Sequence, residues 1–444
     1  MKWSGRQWRV RKWTIGGVSS TGVVAVAAAA TLLAPSSLPV MAAPDAAPES
    51  SAAPEPAPPE PAAPEPSAVS MEPVFNEPSD NGKPDHAIEK RLLELVDATP
   101  AGEQIDFSVY SWTRPKVAEA LERAQQRGVQ VRVAVDGGPP ERLNSGVKDV
   151  LERANLTELV YCGPGKLGGD NTACIANRGD PHSINHNKLW TFSETEGKKD
   201  VVVVASYNLT NPQGNLFNNA LITSGDPDLY DFYRGHVDRM LAEDKDNDYF
   251  EHGGYHKSPD SKVTSYLSPR ADSKGGTSEE AGTDTWAQLL QYVKEREPGC
   301  QLDIVHANVS DARTPAVQEI QRIARLGCQV RLVYGTIGDD SLERLQGEQN
   351  VQLKRYSDND EDNWREREVG VHSKYMLYRG QYNETDDRSL VFTGSHNLSG
   401  PALRTNDEIL IKVENDQVKR AYDGNFETVW NRAKCTNPEQ GSCP

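Results

Sequence analysis

The sequence predicts an α/β protein with two pseudo-symmetric lobes, each a mixed β-sheet flanked by helices. The main observation is an internal repeat, because residues 102–138 and 299–336 both begin Gly-x-Gln-apolar-Asp and continue with the same pattern. An alternating strand is followed by a helical stretch, a glycine stop at Gly128 or Gly327, and a second strand with a Val-Arg-apolar core. Since a crossover helix joins the two strands, each copy predicts a parallel βαβ unit.

The ends of the chain differ in composition from the repeated part. A basic start, an apolar run and a small-residue exit predict a secretory signal peptide over residues 1–43, with an uncleaved membrane anchor as the alternative. Residues 44–70 are almost entirely Pro, Ala, Glu and Ser, which predicts a solvated linker. We therefore place the first lobe at 71–267, an inter-lobe loop at 268–285 and the second lobe at 286–444.

The charge and the cysteines restrict the class of protein. The formal net charge is −17, and loss of the five basic residues of the signal peptide leaves −22. Such a surface repels polyanions at long range, which argues against sequence-blind binding of nucleic acid. The six cysteines fit an exported, oxidised protein. His and Cys do not cluster at metal-ligand spacing, so we predict no metal and no cofactor.

All six cysteines are predicted to form disulfides. The expected pairs are Cys162 with Cys174, Cys300 with Cys328, and Cys435 with Cys443. The first and third pairs flank short loops. The second pair stands at matching strand starts of the second βαβ unit, where parallel pairing brings the two residues side by side. The first copy has Glu103 and Val129 at these positions, so this disulfide is specific to the second half.

Each half then carries the same four polar residues in the same order. They are His186, Lys188, Ser206 and Asn208 in the first half, and His372, Lys374, Ser395 and Asn397 in the second. Residues two apart on a strand point to the same face, so the histidine and lysine of each half are expected to project together. Two such sets brought together make a pocket with two cations and several neutral donors, which suits a phosphate and its developing charge. A lone His-x-Lys is usually a solvated strand edge, but its ordered duplication favours a functional site.

These paired motifs resemble those of the phospholipase D superfamily, whose signature is a duplicated His-x-Lys-x4-Asp followed by Gly-Ser-x-x-Asn or Gly-Ser-x-Asn. The resemblance covers roughly residues 75–432 and implies two phospholipase D-like lobes about a pseudo-twofold axis, with metal-independent cleavage of phosphodiesters. It implies that His186 is the nucleophile and forms a phosphohistidine. His372 then protonates the leaving alcohol and activates water. The lysines, serines and asparagines above match the remaining motif positions.

The chain departs from the signature at several positions. Ser193 and Arg379 occupy the aspartate positions, and Ala205 replaces the first Gly of Gly-Ser. Residues 406–408 (Asn-Asp-Glu) resemble an Asn-x-Glu element whose carboxylate orients a motif histidine, whereas residues 218–220 (Asn-Asn-Ala) stand at the matching place in the first half. Only one half thus keeps the carboxylate, which adds Glu408 to the site and makes the two histidines inequivalent. The assignment of the nucleophile to one histidine therefore stays open.

The resemblance and the export signal together predict a secreted phosphoric diester hydrolase of the phospholipase D type. It would act on phospholipid head groups or another phosphodiester, with transfer to other alcohols as an option and with peripheral membrane contact. A monomer suffices to build the site. An extracellular nuclease is one alternative, favoured by the compact motif at 394–399 (Gly-Ser-His-Asn-Leu-Ser). A non-catalytic phosphate- or head-group-binding protein is the other, favoured by the missing aspartates.

Three further features lie next to the motifs. Trp190 and Arg404 are candidates to line the substrate cleft, but a core aromatic residue and a surface arginine are the favoured interpretations. The acidic loop 357–368 and the loop between Cys162 and Cys174 precede the two motifs and are natural places for specificity, although solvated loops are the default. A structural calcium ion on the acidic loop is a minor alternative.

Overall fold

A computed structural model describes residues 69–79, 83–163, 171–178, 183–271, 281–294, 299–356 and 369–435. Four predictions concern residues outside these ranges: the signal peptide, the linker up to residue 68, the acidic loop with its calcium, and the pairing of Cys435 with Cys443. Ser70, the last residue of the predicted linker, is the first residue of a strand. Among the described helices, none has the length and apolar character needed to span a bilayer.

The described residues form two mixed β-sheets. Their strands in chain order are β1 (Ser70–Asn76), β2 (Gln104–Val109), β3 (Gln130–Asp136), β4 (Glu158–Cys162), β5 (Lys188–Thr195), β6 (Lys198–Ala205), β7 (Leu216–Ser224), β8 (Tyr255–Lys257), β9 (Val263–Ser268), β10 (Gln301–Val309), β11 (Gln329–Ile337), β12 (Val351–Arg355), β13 (Gly370–Val371), β14 (Lys374–Tyr382), β15 (Thr385–Gly394), β16 (Glu408–Val413) and β17 (Lys434–Cys435).

Helices connect and cover these strands. They are α1 (Ala87–Ala98), α2 (Pro115–Gln126), α3 (Ser145–Arg153), α4 (Pro227–Leu241), α5 (Thr285–Leu290), α6 (Thr314–Arg325), α7 (Asp339–Gln346), α8 (Gly400–Arg404) and α9 (Asp416–Arg432).

The first sheet has the strand order β1-β7-β6-β5-β2-β3-β4, and the short strand β13 adds to β7. The predicted βαβ unit is present, because β2 and β3 pair in parallel from Gln104 opposite Gln130. The crossover helix α2 begins with Pro115, which has the backbone φ that a first helical turn needs. It ends before Gly128, whose φ of +93° lies in the left-handed region that glycine adopts without steric cost.

The second sheet repeats this arrangement with the order β17-β12-β11-β10-β14-β15-β16-β9-β8. Strands β10 and β11 pair in parallel from Gln301 opposite Gln329, with α6 as the crossover. The apolar positions of α6 predicted from the sequence, among them Val317, Ile320 and Ile323, are all buried. The prediction of two α/β lobes with mixed sheets and flanking helices is therefore confirmed.

The core consists of three layers of apolar side chains. One layer packs α1, α2 and α3 against the outer face of the first sheet, and another packs α5, α6 and α7 against the second sheet. The central layer contains residues of both sheets together with α4 and α9. Because the inner faces of the two sheets share this layer, residues at their facing edges are brought together from distant parts of the chain.

Two of the three predicted disulfides lie within the described residues and both are confirmed. Cys162 is bonded to Cys174 in the first lobe, and Cys300 is bonded to Cys328 across β10 and β11. The second bond joins the starts of two adjacent parallel strands, as the repeat predicts, with the Cα atoms 4.8 Å apart.

The chain segments do not follow a simple division into halves. Strand β8 and all of β9 except its last residue, Ser268, lie within the range 71–267 predicted for the first lobe, yet they extend the second sheet beyond β16. Strand β13 lies in the predicted second lobe, yet it pairs with β7 of the first sheet. The limits of the lobes as folding units stay a prediction, whereas the strand pairing shows that each sheet takes in a segment from the other half.

Candidate active site

The two motif histidines stand at the starts of the central strands of the two sheets. The histidine and the lysine of each motif were expected on one strand. In the structure β5 begins at Lys188 and β14 begins at Lys374, so each histidine lies two residues before its strand. The backbone N–H of His186 donates to the carbonyl oxygen of Asp407 at 3.0 Å, and that of His372 donates to Phe217 at 2.8 Å. Each histidine is therefore held in place by the backbone of the opposite half.

Each motif lysine folds back beneath its own histidine. Nζ of Lys188 donates to the backbone carbonyl of His186 at 2.7 Å, and Nζ of Lys374 donates to that of His372 at 2.6 Å. Both lysine side chains are almost fully buried. A buried ammonium group is costly unless it is paired or accepts a ligand, so this arrangement suits the binding of an anion.

The His186 imidazole contacts a carboxylate from the second half. Its Nδ1 lies 2.8 Å from the carboxylate of Glu408, which has no exposed surface. Glu408 also accepts hydrogen bonds from Oγ of Ser395 at 2.6 Å and from Nδ2 of Asn406 at 3.4 Å. Burial raises the pKa of Glu408 to about 7. In its ionised form the carboxylate only accepts hydrogen bonds, so Nδ1 of His186 then carries the proton and the lone pair of Nε2 is left for chemistry.

The His372 imidazole has the matching contact with an amide from the first half. Its Nδ1 lies 3.1 Å from Oδ1 of Asn218, which also accepts from Oγ of Ser206 at 3.0 Å. The counterpart of Glu408 is therefore Asn218, and the sequence alignment that placed Ala220 there was wrong by two residues. The prediction that only one histidine has a carboxylate partner stays valid, because an amide carries no charge.

Burial and the two ammonium groups depress the basicity of the site. The pKa of His186 lies well below its usual value because of burial and the charges of Lys188 and Lys374. The pKa of His372 is lowered in the same way, and His186 is among the groups that act on it. Burial lowers the pKa of Lys188 to about 7, and burial together with Lys188 lowers that of Lys374. The site therefore favours an added negative charge.

The two motif asparagines keep polar atoms without partners. The side chains of Asn208 and Asn397 follow β6 and β15 at equivalent places, and the buried Oδ1 of each has no hydrogen-bond partner among the described residues. Buried polar atoms in folded proteins are nearly always paired. These two amide oxygens are acceptors, so each is available to a donor that the described residues do not supply.

The two positions where the motif aspartate is absent lie away from this space. Ser193 is five residues beyond Lys188 along β5, which corresponds to about 16 Å of strand. Its hydroxyl donates to Glu103 at 2.6 Å and accepts from the backbone of Gln104. Arg379 occupies the equivalent place on β14 and is exposed. Loss of the aspartates thus removes no group from the neighbourhood of the histidines.

The two flanking candidates do not line the site. Trp190 is fully buried and packs against Phe107 with ring centroids 5.1 Å apart, which confirms a core aromatic residue. Arg404 was expected at the surface, and this was wrong. It is 7% exposed, and its guanidinium donates to backbone carbonyls, among them those of Ala271 and Thr283. Arg404 therefore holds the chain entering the second lobe.

The sequence analysis missed three residues beside His186. The ring of Tyr110 contacts the His186 imidazole edge-on, with the ring centroids 4.9 Å apart. The guanidinium carbon of Arg142 lies 5.0 Å from the centroid of the Tyr110 ring. Asp136 is buried and forms an ion pair with Arg142 at 3.2 Å. Tyr110 and Asp136 stand at the carboxyl ends of the parallel strands β2 and β3, where ligands commonly bind in α/β sheets. Their place at the ends of two predicted parallel strands was the feature of the sequence that could have identified Tyr110 and Asp136 as site residues.

Asp407, the middle residue of the predicted Asn-x-Glu element, fixes the disulfide-bonded loop to the site. Its buried carboxylate accepts hydrogen bonds from the backbone N–H groups of Cys174, Ile175 and Ala176. Its backbone carbonyl holds His186, as described above. Burial raises the pKa of Asp407 to about 6. Among the described residues, no group of three or more His, Cys, Asp or Glu side chains has an arrangement that could hold a metal ion.

Comparison with known structures agrees with this fold. Phosphatidylserine synthase from Haemophilus influenzae Rd KW20 superposes with a TM-score of 0.53 at 12% identity, covering 79% of this chain and 85% of that protein. Polyphosphate kinase from Porphyromonas gingivalis gives 0.49 at 15% identity over 81% of this chain, which spans half the length of that protein. The phospholipase D family member Nuc from Salmonella typhimurium matches 39% of this chain at 18% identity, with a TM-score of 0.28.

The sequence itself matches one protein family. A search of curated protein sequences found no match. The family described as "Cardiolipin synthase, PLD-like domain" matches residues 95–241 and 297–430, one range in each half of the chain. The two ranges contain the duplicated histidine motifs and cover more than half of the 444 residues. The chain therefore belongs to the phospholipase D-like family.

Proposed function

We propose that the protein is a secreted enzyme that hydrolyses the head-group ester of phospholipids through a phosphohistidine on His186. Phosphodiester chemistry is what membership of the family supports in general. The observation that carries the proposal is the contact of His186 with Glu408, set against the neutral contact of His372 with Asn218. A carboxylate bonded to one ring nitrogen makes the other nitrogen a stronger nucleophile and stabilises the positive charge that develops on the ring.

In the first step, Nε2 of His186 forms a bond to phosphorus as the bond from phosphorus to the leaving oxygen breaks. The leaving alcohol takes a proton from His372, which must be protonated when the substrate is bound. Burial and the two ammonium charges lower the pKa of His372, and the negative charge of a bound phosphodiester offsets the effect of the ammonium charges. Binding of the substrate therefore prepares the acid.

In the second step, neutral His372 takes a proton from water, whose oxygen attacks phosphorus. The bond from phosphorus to Nε2 breaks, and its electron pair returns to His186. Throughout, the ammonium groups of Lys188 and Lys374 and the Nδ2 groups of Asn208 and Asn397 are the groups we assign to the phosphoryl oxygens. They are preorganised donors, which stabilise the charge of the transition state without reorganisation.

The choice of a phospholipid rests on three observations. The family description names cardiolipin synthase, and a structure with the same fold is phosphatidylserine synthase. The net charge of −17 disfavours the approach of nucleic acid. The two disulfides and the predicted signal peptide fit an extracellular protein that meets lipid surfaces from outside. An alcohol other than water in the second step would make the same enzyme a transferase.

The test is release of choline from phosphatidylcholine vesicles by the purified protein, compared with cleavage of single- and double-stranded DNA. We expect choline release, its loss in His186→Ala, and full activity in His252→Ala, which removes an exposed histidine. Rapid quenching with a phosphorus-labelled lipid should trap label on the wild type. Cleavage of DNA alone would establish the nuclease. Turnover of neither substrate by the wild type, with undiminished phosphate binding by His186→Ala, would establish the non-catalytic alternative.

A further inference from the structure

The cluster of Tyr110, Arg142 and Asp136 breaks the pseudo-symmetry of the site. The repeat aligns Gln104 with Gln301 and Gln130 with Gln329 at the starts of equivalent strands. In this register Ala307 stands where the first half has Tyr110, and Gly335 stands where it has Asp136. The histidines, lysines, serines and asparagines are duplicated, but this cluster occurs only beside His186.

The absence of a side chain at Gly138 leaves room for the side chain of Arg142. A Cβ atom on Gly138 would lie 2.7 Å from Cδ and 2.8 Å from Nη1 of Arg142, so a larger residue there would displace the guanidinium. The guanidinium lies over the face of Tyr110, and Nζ of Lys188 lies 5.0 Å from the centroid of the same ring. Two cations thus converge on one aromatic ring beside His186.

Asp136 leaves most of the hydrogen-bonding capacity of Arg142 unused. Besides Nη1 of Arg142, its carboxylate accepts hydrogen bonds from the backbone of Gly138 at 2.9 Å, from Oγ1 of Thr172 at 2.7 Å and from the backbone of Asn185 at 3.0 Å. It is the one acidic side chain that contacts Arg142 within the described ranges. The arginine side chain keeps 29% of its surface exposed and also forms a hydrogen bond with Tyr110. Besides burial and the two lysines, its charge lowers the pKa of His186, so a partly exposed fork of donors lies beside this histidine.

Tyr110 adds a neutral donor to this cation. Burial raises the pKa of its phenol, which therefore keeps its proton at neutral pH. The duplicated set already provides one ammonium and one amide from each half for a single phosphodiester. Arg142 and Tyr110 are additional groups on one side of it, and a guanidinium next to a hydroxyl is a typical pair for a carboxylate or phosphate.

We propose that Arg142 and Tyr110 form a subsite for a second anionic group of the substrate, a carboxylate or a phosphate, next to the phosphodiester attacked by His186. This inference rests on the proposed function. Phosphodiesters that carry a further negative charge close to the scissile phosphorus are then the preferred substrates, and phosphodiesters without it, such as phosphatidylcholine, are cleaved with a lower kcat/KM.

The test measures binding and turnover separately. Calorimetry on the wild type would compare glycerophosphoglycerol, which has one anionic group, with glycerophosphoglycerate and with glycerophosphoglycerol phosphate, which add a carboxylate or a phosphate. We expect the anionic additions to tighten binding by roughly ten- to hundredfold, the effect of a charge-assisted hydrogen bond. The relative gain of the two compounds distinguishes the two sources of charge.

Arg142→Gln should lower the affinity for the compounds with a second anionic group much more than that for glycerophosphoglycerol, and so abolish this gain. Arg142→Lys should keep part of it, because the charge remains but the planar fork is lost. Arg153→Gln, which removes an exposed arginine from α3, is the matched control and should change nothing. Equal loss of affinity for all three compounds in Arg142→Gln, or no gain in the wild type, would overturn the inference.

Turnover is measured as kcat/KM for cleavage of the corresponding phospholipids in neutral detergent micelles. If the wild type cleaves no phospholipid but still binds the anionic compounds more tightly through Arg142, the proposed function fails and the subsite stands. If it cleaves all of them with equal kcat/KM and binds them equally, the function stands and the subsite fails.

Discussion

Replacement of Glu408 by Gln tests the assignment of the nucleophile. The carboxylate accepts hydrogen bonds from His186, Ser395 and Asn406, and the amide of Gln has nearly the same shape. The variant therefore reproduces at His186 the neutral contact that Asn218 gives to His372. Exchange of a charge-assisted hydrogen bond for a neutral one costs about 1.5 kcal/mol or more, and the developing imidazolium raises this cost in a buried site.

We expect formation of the phosphoenzyme to slow by roughly ten- to several-hundredfold, since 1.4 kcal/mol corresponds to tenfold in rate. The assay is single-turnover trapping of label from a phosphorus-labelled lipid, with the thermal midpoint as the control for folding. Asn218→Ala is the comparison at the other histidine. It should slow the departure of the alcohol but leave label on the protein. A normal rate of labelling in Glu408→Gln, with loss of label in Asn218→Ala, would make His372 the nucleophile.

The remaining predictions concern stability. Because burial lowers the pKa of Lys188 from 10.5 to about 7, the unfolded state binds more protons between these values, so stability rises with pH across that window. Lys188→Met should therefore stabilise the fold by about 1–4 kcal/mol at pH 6, by less at pH 10, and abolish activity. Urea midpoints at the two pH values check this, and an equal gain at both would contradict it. Loss of the Cys162–Cys174 bond should cost about 3 kcal/mol and also activity, because this loop is bonded to the residue that holds His186. Loss of the Cys300–Cys328 bond should cost a similar stability but spare turnover per folded molecule, measured by titration of active sites. Equal losses of specific activity in the two variants would contradict this difference.

The repeated architecture could be predicted from the order of residues alone. Two βαβ units follow from strand and helix periodicity, from the glycine stops and from matching starts, and these are local properties of the chain. The pairing of Cys300 with Cys328 follows from the same register, because adjacent parallel strands bring matching positions together. The duplicated histidine motifs were also visible, since the order of residues along the chain reveals a repeat without knowledge of the fold.

The contacts between groups of the two halves could not be predicted from the chain alone, because they depend on how distant segments pack. Glu408 contacts the histidine of the other half, and its counterpart is Asn218 rather than Ala220, because segments before each histidine pair with the opposite sheet. Tyr110 has no counterpart in the repeat, and its place beside His186 is known only from this packing. Periodicity fixes the face on which a side chain lies, but contacts between distant segments depend on how the two sheets share one core.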